Sequence, residues 1–200
     1  MTPGFSGQHA PDSTPSATAV ECVSPSSTGY ANGVHHKLLP IYLNDHLAGA
    51  TAGRDLARRA AGSNRSDEGY HPALTELARE IQEDRDSLRL LMRRLDIGTD
   101  RAKQLAAWAA EKAGRLKLNG RLLRYSPLSR LEELEALALG VTGKLALWRT
   151  LRLLARQEPR LSAQDLERLV ERAEQQLKAI ETCHRRAAID AFLLDAQRRH

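Results

Sequence analysis

His46, Asp84 and His184 each interrupt a series of apolar residues that recurs at spacings of three and four. That spacing marks the inward face of a helix in a bundle. The three side chains are therefore expected to point inward, where an ionisable group is costly unless it is paired or bound to a metal. Glu181 precedes His184 by three residues and projects from the same side of its helix. Glu135 flanks the apolar stripe of its own segment. Carboxylates and imidazoles gathered between helices are a donor set for iron, manganese or zinc. His46, Asp84, Glu135, Glu181 and His184 are accordingly the candidate metal ligands. Counted along their helices, His46 lies about 24 Å before the end of the first and Asp84 about 18 Å after the start of the second. An antiparallel pair would bring the two within about one helical turn of a common layer.

A second candidate is electrostatic. Lys112, Arg115, Lys117, Arg121, Arg124 and Arg130 occupy a span with no acidic residue. Such a cluster can bind phosphates or an acidic partner. Tyr125 is its only aromatic residue and no nucleic-acid-binding motif accompanies it, so a solvated face around a helix corner is the preferred reading. The net charge of +5 adds little, because only six of the 30 basic residues are Lys. An Arg, Ala and Leu bias of this kind arises from GC-rich coding without any functional cause.

Other chemistry finds no footing. The sequence has no phosphate-binding glycine loop, nucleophile elbow, zinc-ligand spacing or Cys/His catalytic arrangement. Its two cysteines, Cys22 and Cys183, cannot build a disulfide framework and are read as free thiols in a reducing compartment.

The elements that must position these side chains are helical. Apolar residues make up 42% of the 200-residue chain but aromatics only 4%. The apolar content is mostly Leu and Ala, strong helix formers. Residues 1–34 are rich in Ser, Thr, Pro and Gly and cannot bury enough apolar surface to offset their ordering entropy, so a disordered tail is expected there. Residues 35–200 form the bundle domain.

The first helix should run from Leu39 to about Ala61, with Gly62 as its cap. The second should open at Pro72 and stop at Gly98. A third runs from Thr99 to the Asn119-Gly120 turn signal, and a fourth from Ser126-Pro127 to about Arg156. Ser162 and Asp165 resemble a capping box, with Leu161 and Leu166 placed for a hydrophobic staple. They open a fifth helix that reaches about Gln197. Short connections imply antiparallel neighbours. The fold class is thus all-α, an antiparallel bundle of four to five long helices. Gly49 and Gly53, four apart on the first helix, imply close packing inside that bundle. Charged residues interrupt the longest apolar segment, Leu134 to Leu154, and no cationic, apolar leader opens the chain. No membrane insertion and a cytoplasmic location are expected.

Carboxylates and histidines directed into long helices resemble the ferritin-like superfamily. Glu181-Thr182-Cys183-His184 matches one of its Glu-x-x-His motifs. The segment Tyr42-Leu43-Asn44-Asp45-His46-Leu47-Ala48-Gly49 is similar to the opening of uncharacterised bacterial proteins assigned to that superfamily. The resemblance implies a ferritin-like bundle over most of Leu39 to Leu194 and a di-metal centre. The chain departs from it in two ways. Ser87 stands where a second Glu-x-x-His needs His, and the first helix offers Asp45 and His46 rather than Glu.

Three functional readings follow, in this order. The first is a non-catalytic structural or interaction module that serves a protein partner or self-associates. The second is a ferritin-like metal protein with an incomplete or atypical site. The third is a binder of nucleic acid or an acidic partner through residues 112–130.

Overall fold

The structure, a computed structural model, describes residues 37–99 and 125–193. The tail, the body of the third expected helix and the last residues of the fifth lie outside the described residues. Four helices are present: α1 Leu38–Ser63, α2 His71–Arg94, α3 Pro127–Leu154 and α4 Ala163–Phe192.

Local chemistry sets most of their ends. The Ser126 and Ser162 hydroxyls accept the Ser129 and Asp165 backbone N–H groups, each at 3.2 Å, and so cap α3 and α4. Leu161 and Leu166 are buried, completing the staple. The Asp165 carboxylate pairs with Arg168 instead of closing a capping box. Two ends depart from expectation. Gly62 lies within the last turn of α1, and the cap is Asn64, whose side-chain amide donates to the Ala60 carbonyl at 2.8 Å. The chain leaves α2 at Asp96, with φ 57°, before Gly98 is reached. The Ile97 N–H donates to the Met92 carbonyl at 2.9 Å and closes the turn around that left-handed residue, a conformation Asp tolerates better than most.

Cross-helix bonds fix the topology. At one end the Asn44 amide donates to the Gly98 carbonyl at 3.0 Å and Arg160 pairs with Asp96 at 3.2 Å. At the other, the Tyr125 hydroxyl and Asn64 amide meet at 2.7 Å and Arg130 pairs with Asp190 at 3.2 Å. Hence α1 and α2 are antiparallel, α3 and α4 are antiparallel, and α2 and α3 are parallel. The connection from α2 to α3 begins at one end of the bundle and finishes at the other. Each helix packs on two others, α1 on α2 and α3, and α4 on α2 and α3. Leu43, Leu74, Leu88, Leu134, Trp148, Leu151 and Leu166 are among the side chains fully removed from water at the centre. Each such burial stabilises by about 1.5–3 kcal/mol. No helix among the described residues is long and apolar enough to cross a membrane.

Arg130 does not belong to a solvated basic patch. Its side chain is 14% exposed and closes one end of the bundle. Its Nε donates to Asn64 at 2.6 Å and its terminal nitrogens to Asp67 at 3.0 Å and Asp190 at 3.2 Å. The guanidinium sits 4.0 Å from the centre of the Tyr70 ring. The Tyr70 hydroxyl donates to Asp190 at 2.7 Å. Burial, reinforced by that carboxylate, pushes the Tyr70 phenol up to about 12. Lys112, Arg115, Lys117, Arg121 and Arg124 lie outside the described residues. Arg130→Met keeps most of the stem but loses these charged hydrogen bonds, and should lower the unfolding free energy by about 1.5–3 kcal/mol. A urea titration with an unchanged midpoint would show that the clasp contributes nothing.

Candidate functional site

The five candidate metal ligands divide among separate places. His184 Nε2 and Glu135 Oε1 form a pair at 3.2 Å on the outer side of α3 and α4, where the two side chains are 37% and 56% exposed. Glu181 is exposed. His46 is half-buried on α1, its ring edge-on to Tyr42 with centroids 4.5 Å apart. Asp84 alone is in the core, 1% exposed. Of the five, His46 and Asp84 line one cavity. Among the described residues no group of three or more His, Cys, Asp or Glu side chains could hold a metal ion.

What satisfies Asp84 is cationic. Oδ1 accepts from Arg172 on α4. Oδ2 accepts from Lys144 on α3 and, at 3.0 Å, from the Gln176 amide on α4. Lys144 also donates to the Gln176 carbonyl oxygen, and Arg172 reaches Glu83 at 3.3 Å. Three helices are joined through one carboxylate. Two cations hold the place a metal would need, and both repel one. Burial pushes the Lys144 ammonium below its ordinary range and the neighbouring Arg172 adds to the fall, while Asp84 opposes it.

The sequence reading missed Lys144, Arg172 and Gln176. It set the α4 stripe through Leu177 and His184, whereas Gln176 and Cys183 are the buried residues and Leu177 and His184 are half-buried. Gln176 is turned inward by its bonds to Asp84 and Lys144, which apolar periodicity cannot register. One signal was available. Arg172 and Gln176 stand four apart on α4, and Lys144 is the one charged residue between Val141 and Trp148 on α3.

Above this cluster lies a cavity of about 320 Å³ between α1 and α3, with Ile81, Asp84 and Leu88 of α2 at its floor. Its side walls carry Gly49 and Gly53 on α1 and Gly140 and Gly143 on α3. Among the described residues, a Cβ at any of the four would meet nothing within 4 Å, and none packs closely against Gly49 or Gly53. Trp148 also lines the cavity. It is 1% exposed and its indole N–H has no hydrogen-bond partner among the described residues.

Breaking the cluster from one side should be costly. Asp84→Leu leaves Lys144 and Arg172 without their carboxylate, and should destabilise by about 3–5 kcal/mol. Adding Lys144→Met and Arg172→Met should recover most of that loss. Denaturant unfolding of both proteins is the measurement, and equal losses would refute the coupling. His46 provides a pH test. Burial, only partly offset by Asp45, lowers its folded value below 6.5. Its contribution is complete above 6.5 and lost as pH falls through the folded value, because the unfolded chain takes up the proton first. His46→Gln should therefore flatten the decline in stability below pH 6.5, and an unaltered profile would remove His46 from the account. No family model matches the chain, and neither a curated protein nor a solved structure matches it.

Proposed function

We propose that the chain is a non-catalytic helical-bundle module that works by binding, with the cavity between α1 and α3 as its site for a small apolar guest. The glycine-lined walls carry this reading. A glycine inside a helix costs about 0.5–1 kcal/mol relative to alanine. At Gly49, Gly53, Gly140 and Gly143 a methyl group would meet nothing within 4 Å among the described residues, so packing among those residues gives no reason for the cost. Keeping a cavity open does give one. A volume of about 320 Å³ is at the lower end of small-molecule sites and about twice that of an engineered cavity that admits benzene. The polar groups at the floor are engaged with one another, which favours holding a guest over transforming it.

A metal-binding role on a ferritin-like bundle is the second reading. The long connection between two parallel helices favours it, since ferritin-like bundles have one such crossover. The donor set disfavours it, because Lys144 and Arg172 stand against the one buried carboxylate. Binding through residues 112–130 is the third, with its one described member, Arg130, engaged internally.

The neutral fluorophore 1-aminoanthracene tests the first reading. It should bind the folded chain saturably, about one per chain, with enhanced emission. Gly140→Leu places a side chain in the open space, and should abolish the binding without lowering the unfolding midpoint. Absent or non-saturable binding, or binding indifferent to Gly140→Leu, would overturn the proposal. So would a large loss of stability in that variant, because it would mean that another part of this chain, or a second copy, already packs against the glycines.

A further inference from the structure

We draw no further inference here: the strongest candidate, the apolar surface patch of Ile189, Phe192 and Leu193 at the end of α4 together with Leu128 at the start of α3, is exposed among the described residues, and nothing in the structure shows what covers it.

Discussion

A carboxylate almost without contact with water must be answered by neighbouring groups, and the middle of this bundle is arranged around that requirement at Asp84. An ionised carboxylate taken out of water loses several kcal/mol of hydration, recovered only when its lone pairs are filled with good geometry. Here α3 supplies an ammonium and α4 a guanidinium and an amide. Because the partners come from different helices, the interaction fixes how far each has slid along the others. Apolar packing does not do this so strictly, since a Leu stripe accepts another Leu stripe at several offsets. The cluster selects one register at some expense in stability, the best-attested use of buried charge.

The same cluster forms the floor of the cavity between α1 and α3. Most of the cavity lining is apolar, Asp84 and Lys144 are paired at its floor, and the Trp148 indole N–H has no partner among the described residues. Beside the paired Asp84 and Lys144, the cavity wall carries His46, whose imidazole is held below its ordinary range by burial.

Much of the architecture was legible in the residues. Ser126-Pro127 and Ser162 marked the starts of α3 and α4, because caps are local chemistry and local chemistry is written in adjacent positions. Asp84 was legible as an anomaly, an acid on an apolar stripe. Its partners were not, because they lie 60 to 92 positions away and the pairing depends on which helix faces which. Apolar periodicity then misplaced the inner face of α4, preferring Leu177 to a Gln176 that three-dimensional contacts turn inward. Arg130 was misread for the same reason. In sequence it ends a basic run, but in the fold it faces Asn64, Asp67 and Asp190 from other elements. The open space beside Gly49 and Gly53 had no signature at all, since small residues serve close packing and cavities alike.

The parallel alignment of α2 and α3 also bears on how the molecule assembles. Helices α1 and α2 are joined by a few residues, as are α3 and α4, so each hairpin can close with little loss of chain entropy. Union of the two hairpins joins partners far apart in the chain, and it is the step that must dehydrate Asp84 together with Lys144 and Arg172. Contacts within a hairpin are thus local and fast, while those between hairpins are non-local and slower. The protein is in this sense a dimer of hairpins tied into one chain. Among the described residues the helices pack more extensively within each hairpin than between the two, and the plane between the hairpins passes through the walls of the cavity.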